Sequence, residues 1–285
     1  MSGAARAILP GNRLHLQHGP IDLVIQAWGE PCEVELAYEQ ASQHFDDLLS
    51  SLVSELALLR APLADPYPLA RGPVARRMIA ACWPHRGVFI TPMAAVAGAV
   101  ADEMLAALLA GRSLAKAYVN DGGDIALHLG DGHHLNAGIA DDPQRLQLAA
   151  GVRIDSASAV RGIATSGWRG RSQSLGVADA VTVLARAAAA ADAAATLVAN
   201  AVDTDHPSIR RLPAREVKHD SDLGDRLVTV EVETLPRDAI ATALSSGCAA
   251  AAAMLDAGLI EAAYLSLQGQ ARVVAPTTNE WRLTA

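Results

Sequence analysis

The chain has 285 residues, enough for one large domain or two small ones at about 100–200 residues each. Apolar residues make up 51% and charged residues 19%, so a core can be built and a disordered tail is excluded. With 23 Lys and Arg against 31 Asp and Glu, the formal net charge is −8. A body of that sign repels polyanions, which excludes nucleic acid and anionic membrane as main partners. Small anions can still bind where the local field is positive.

The start, MSGAARAILPGNRLHLQHGP, holds no apolar leader run and no lipid-attachment cysteine. The expectation is no export signal and a cytoplasmic location. Cys32, Cys82 and Cys248 are far apart and form no CxxC, so they read as free thiols in a reducing compartment. Residues 93–109 and 247–260 are the longest apolar stretches. Asp102 and Glu103 break the first and Asp256 the second, so neither is expected to supply the roughly 20 apolar residues of a membrane span.

In chain order, 13–27 alternates and predicts two short strands around a Gly-Pro turn. Residues 34–60 carry apolar side chains at helical spacing and predict one long amphipathic helix. Pro62, Pro66 and Pro68 enforce an irregular link. A helix at 73–82, a strand at 87–91 and a helix at 92–110 opened by Thr91-Pro92 follow. Residues 115–119 and 125–129 form a hairpin around the turn 120–124. Strands are expected near 135–140, 151–160 and 179–185, then an alanine-rich helix at 187–202 and a charged loop at 203–225. Strand 226–234, helix 238–257 and a hairpin over 262–275 close the chain. Helix 92–110 leading into AKAYVNDGGDIAL resembles helix 238–257 leading into EAAYLSLQGQARVV, with Tyr118 and Tyr264 at equivalent places. This hints at an internal duplication of a helix-plus-hairpin unit. The whole reads as an α+β fold with mostly antiparallel sheets packed by alanine-rich helices.

Four places could carry chemistry. The turn Asn120-Asp121-Gly122-Gly123-Asp124 lets backbone approach a ligand and aim N–H groups at an anion, although Asp-Gly and Gly-Gly are also common in plain hairpins. The segment Ala164–Ser172 holds Thr165, Ser166, Gly167, Trp168, Arg169 and Arg171. It reads either as an exposed polar loop or as an anion site, since arginine matches phosphate geometry. With ten Phe, Trp and Tyr residues in all, Trp168 and Tyr118 are among few faces on which a ring could stack. Asp192 and Thr196 share a helix face at i,i+4 and suit a hard cation such as Mg²⁺, or are simply a surface Asp and a buried Thr. Asp179 stands in the apolar run Gly176–Ala180, where a carboxylate is paired, used, or caps a turn.

Taken in order, Met93–Glu103, YVNDGGDI (118–125), ATSG (164–167) and VTVLARAAAAADAAAT (181–196) resemble the ApbE-like superfamily of FAD:protein FMN transferases, in particular a compact cytoplasmic branch of it. Gly98 and Asp102 match its G-x3-D helix, and Asn120, Gly122 and Gly123 its N-x-G-G turn. Thr165-Ser166-Gly167 match its Thr-Ser-Gly, and Asp192 with Thr196 its A-D-x3-T helix. Motif support covers about 90–200, and the whole chain, 1–285, reads as a single ApbE-like domain. The resemblance implies a T-fold-related architecture, with FAD or FMN as ligand or substrate and Mg²⁺ held by Asp192 and Thr196. It further implies pyrophosphate cleavage with FMN passing to a hydroxyl of a flavoprotein or to water. Asn120, Gly122, Gly123, Asp124, Thr165, Ser166, Gly167, Arg169 and Arg171 are then the flavin-nucleotide contacts, and Asp179 and Ser166 the catalytic candidates.

Two departures stand out. Ala97 occupies the place of the family's usual lysine, and Arg171–Gly176 lacks its His-x-x-Asp-Pro segment. They leave open a second enzyme on a phosphorylated or pterin-like substrate, and a non-catalytic binding protein. High apolar content and hairpin edges that want cover suggest a homodimer.

Overall fold

A computed structural model describes residues 3–140 and 148–276. In chain order the strands are β1 Ala5–Leu9, β2 Arg13–His18, β3 Ile21–Gly29, β4 Leu114–Asp121, β5 Asp124–Leu129, β6 His134–Ala140, β7 Leu148–Asp155, β8 Gly162–Ser166, β9 Ala180–Ala185, β10 Ile209–Pro213, β11 Leu227–Val232, β12 Ala262–Leu267 and β13 Gln270–Val274. The helices are α1 Pro31–Phe45, α2 Leu48–Ser54, α3 Leu56–Leu59, α4 Pro73–Cys82, α5 Val96–Leu109, α6 Ala188–Ala201, α7 Ala214–Val217 and α8 Arg237–Asp256. The described residues form two compact units, one of residues 3–135, 154–163 and 186–192, the other of 136–140, 148–153, 164–185 and 193–276.

In the first unit β1 to β5 pair antiparallel in sequence order, and Gly162-Ile163 of β8 pair with β5. Alternation along β3 turns Leu23, Ile25 and Ala27 to one buried face, as period-two patterning requires. The apolar stripe of α1, Val34, Ala37, Tyr38, Ala41 and Phe45, is buried. Helix α5 packs on β4 and β5 and against α1 and α4, burying Met104 and Leu108.

Several expectations over this stretch are corrected. The helix expected at 34–60 is three helices, because the chain bends at Asp46-Asp47 and again at Glu55. The carboxylate of Glu55 accepts the backbone N–H groups of Arg71 and Gly72 at 2.7 Å each. The apolar spacing runs through both bends, since α2 and α3 bury Leu48, Leu52 and Leu59 on their own account. No strand forms at 87–91. Ile90 is buried there and its carbonyl takes the Leu63 N–H, but Val88 closes a turn back onto His85. The 92–110 helix opens with a 3-10 turn, Pro92–Ala95, before α5.

In the second unit β9, β12 and β13 pair antiparallel, and α8 packs on β12 and β13. Strands β6 and β7 form one ribbon, β10 and β11 another with a bulge at Arg210/Arg211. The loop expected over 203–225 therefore contains a strand, β10, and a short helix, α7. The strand near 151–160 ends at Asp155, and the segment from Ala164, one reading of which is an exposed polar loop, begins as the end of β8.

Pro92–Leu109 and Arg237–Asp256 both reach the length and hydropathy of a membrane span, which corrects the expectation that their charged residues preclude it. The first is a core helix of its unit, and the second packs on its hairpin and buries Ile240, Leu244 and Gly247. Each unit thus holds a helix backing the hairpin that follows it, α5 with β4-β5 and α8 with β12-β13.

Candidate functional site

In the first unit the start of α6 is gripped between two glycines. A Cβ at Gly98 would lie 2.3 Å from the Ala188 carbonyl oxygen, and one at Gly162 would lie 2.2 Å from the Ala188 nitrogen. Only residues without a side chain permit this approach. Asp102, one turn past Gly98, accepts the N–H groups of Ala188 and Ala189 at 3.0 and 2.9 Å. Asp192, one turn into α6, reaches back and accepts the Gly98 N–H at 3.0 Å.

The double-glycine turn belongs to the same unit. Gly122 and Gly123 have φ of 63° and 117°, the left-handed pair that a tight hairpin turn demands. The Asn120 side-chain oxygen accepts the Gly123 N–H at 2.8 Å, so that amide is committed to its own hairpin. Asp121 and Asp124 pair across the turn, and Asp121 is only 5% exposed. Burial pushes the Asp192 carboxyl well above the ordinary carboxylate range, and the nearby Asp124 and, less strongly, Asp121 push it further. The N–H groups of Gly98 and Ala97 oppose them. The Cys82 thiol is also raised, by burial and then by Asp192. Burial raises Asp102 against the pull of the Ala189 and Ala188 amides and of Arg77. Asp121 and Asp102 were not among the candidate ligands or contacts. Asp121 was legible only as a member of the NDGGD turn, and Asp102 only as a motif match.

The carboxylates of Asp192, Asp124 and Asp121 are donors of the type a hard cation takes, and a cation would relieve the repulsion between them. Among the described residues no three His, Cys, Asp or Glu side chains are grouped to hold a metal by themselves. An ion at Asp192 would need further oxygens from hydroxyl, water or phosphate, as Mg²⁺ commonly does.

The second unit holds the remaining candidates. Thr165 and Thr182 share a hydroxyl hydrogen bond of 2.8 Å, and Ser166 ends β8, partly buried. Gly167 is buried where a Cβ would meet the Asp179 carbonyl oxygen at 2.3 Å. The Asp179 carboxylate is surrounded by donors: Gln268 N–H at 2.5 Å, Arg169 Nε at 3.0 Å and Trp168 Nε1 at 3.3 Å. The Arg169 guanidinium lies 4.8 Å over the Trp168 ring, covering one face of that indole. Arg171 is exposed. Downstream, Gln173 donates to the Ala214 carbonyl and Leu175 N–H to the Asn200 side chain, so this segment is used in packing. A separate apolar cleft is lined by Ile139, Val152, Thr182, Leu184, Tyr264 and Val273, among others.

The profile of the family described as AbpE bacteria matches residues 6–273, and the chain belongs to that family, within the ApbE-like superfamily. Among curated proteins it is 38% identical over 149 residues to a UPF0280 protein of Methanosphaerula palustris, covering 48% of this chain and 56% of that one. It is 39% identical over 119 residues to a UPF0280 protein of Methanopyrus kandleri, covering 41% and 46%. The chain thus spans about half the length of the curated relatives it matches. Among solved structures it is similar to the flavin transferase ApbE from Vibrio cholerae, at 13% identity and a TM-score of 0.43 over 93% of this chain and 97% of that one. It is similar also to the ApbE protein from Thermotoga maritima, at 14% identity and 0.37 over 88% and 78%.

Proposed function

We propose that this chain is a Mg²⁺-dependent enzyme acting on a flavin nucleotide, cleaving the pyrophosphate of FAD or transferring FMN to a hydroxyl acceptor on a flavoprotein. The whole chain then serves as one functional ApbE-like domain. The observation that carries the reading is Asp192, fixed by the Gly98 amide in an environment charged by Asp124 and Asp121 beside the double-glycine turn. That is where a carboxylate gains most from a cation.

In this reading Asp192 and Thr196, four residues on along α6, supply protein oxygens to Mg²⁺. When bound, the ion neutralises charge on the phosphate oxygens as the P–O bond breaks. One pyrophosphate P–O bond is cleaved, AMP leaves, and a new P–O bond joins FMN to the acceptor oxygen, whose proton is released. Asn120 keeps the turn closed so that Gly122, Gly123 and Asp124 present a compact edge to the ligand. Thr165, Ser166, Gly167, Arg169 and Arg171 offer hydroxyl, amide and guanidinium donors to phosphate. Asp179 acts by holding Arg169 and Trp168 in place.

Incubation of the protein with FAD and MgCl₂, followed by chromatography for AMP and FMN and by mass spectrometry of a flavoprotein acceptor, tests the reading. Product that disappears in Asp192→Asn and with chelator supports it, and its absence from the wild type sinks it.

A second reading, a phosphorylated or pterin-like substrate in place of a flavin, is favoured by Ala97 and by the packed segment after Arg171, which supply neither lysine nor histidine. Mass spectrometry of ligand retained through purification separates the two.

A further inference from the structure

Helix α6 begins without a cap of its own. The residues leading into it are Ala185-Arg186-Ala187, and alanine is among the poorest residues at that place because it cannot accept the open N–H groups of the first turn. The first two of those groups are nonetheless satisfied. Asp102 of α5, 86 residues earlier in the chain, accepts from Ala188 and Ala189. The glycine at 98 brings the two helices close enough for this, since any Cβ there would strike Ala188.

Asp192 stands four residues after Ala188, one helical turn, so its place follows from that of the first turn. Its carboxylate returns a hydrogen bond to the opening of α5 at Gly98. The two helices therefore cap each other, and the acceptor on each depends on the position of the other.

We infer that Asp102 is a positioning residue for Asp192: it is the N-cap that α6 lacks, and by fixing the first turn it fixes the metal-binding carboxylate against Gly98. The metal half of this statement rests on the function proposed above; the positioning half does not.

The test uses the full chain, wild type, Asp102→Ala and Asp102→Asn, with two readouts. The first is amide hydrogen exchange without metal. Asp102→Ala speeds exchange at Ala188, Ala189 and also Gly98 by roughly tenfold, the scale of a lost cap, while Asp102→Asn, which keeps one of the two accepting oxygens, speeds Gly98 by less. The second is Mg²⁺ affinity by calorimetry, expected to weaken about tenfold in Asp102→Ala, in line with the same cap, and by less in Asp102→Asn. Faster exchange at Ala188 and Ala189 with Gly98 unchanged overturns the inference. So does unaltered Mg²⁺ affinity in Asp102→Ala. A wild-type protein that binds no Mg²⁺ overturns the metal reading instead, and the Gly98 rate alone then decides the positioning role. If Asp102→Ala does not fold, Asp102→Ser carries the same expectations, its hydroxyl being too short to reach both amides.

Discussion

Tyr118 and Tyr264 each stand three residues before the end of the first strand of a hairpin, and each hairpin is backed by the helix that precedes it. The turns correspond as well: Gly122-Gly123 at φ of 63° and 117°, and Gln268-Gly269 at 45° and 77°. The chemistry does not. Asp121 and Asp124 flank the first turn, Leu267 and Gln270 the second. Of these two similar helix-hairpin arrangements, the one with carboxylates flanking its turn is the one whose Asp124 and Asp121 act electrostatically on Asp192.

Stability should fall as pH rises through the acidic range when no divalent cation is present. Asp192 and Asp102 are raised above the ordinary carboxylate value, about 3.9, by burial; Asp203 in the second unit has the same sign. Between the unfolded and the folded value the native chain holds protons that the unfolded chain has lost. Stability present below that interval is therefore lost as pH rises across it. Urea unfolding at a series of pH values should show this slope, weakened by Asp192→Asn. In the wild type, Mg²⁺ should raise stability more at neutral than at acidic pH.

Gly98→Ala should cost about 1–3 kcal/mol, the range for forcing an atom into packed surroundings, because the new methyl meets backbone rather than a yielding side chain. It should also abolish Mg²⁺ binding. Gly87→Ala, with nothing near its Cβ, is the control and should stay within about 0.5 kcal/mol. Denaturant midpoints measure both.

Asp179→Ala should destabilise by about 2 kcal/mol, since three donors lose a charged acceptor. Tryptophan emission should shift as Trp168 loosens, and flavin affinity should drop. The pH profile of any turnover should keep its shape in Asp179→Asn. A profile that loses its acid limb would assign the general-base role to this residue.

Phe45→Ala should cost about 3–5 kcal/mol, because its ring is 0% exposed and packs edge-on against His18. Thermal unfolding reads this directly.

Much of the fold was legible because it is local. The Gly-Gly turn flanked by alternating strands, the alanine-rich helix at 188–201 and the closing hairpin announce themselves by spacing. The bends at Asp46-Asp47 and Glu55 did not, since apolar periodicity continues through them and the amides that hold Glu55 come from Arg71 and Gly72. The site was half legible. Asp192 and the glycine turn stand out as residue types in a motif, as does Thr196, which no hydrogen bond among the described residues links to them. That Asp102 would serve a helix 86 residues away, or that Asp179 would be claimed by Gln268, is decided by tertiary contact and leaves no local trace.

Alanines 188, 189, 191, 193, 194 and 195 are all buried. A helix seated by so many methyl groups has almost nothing for truncation to remove, so conventional alanine scanning is blind along it. Enlarging these positions one at a time, to serine, valine and then leucine, is the way to map it. The tolerated volume at each would measure how tightly the neighbouring layers close upon a surface made almost entirely of backbone.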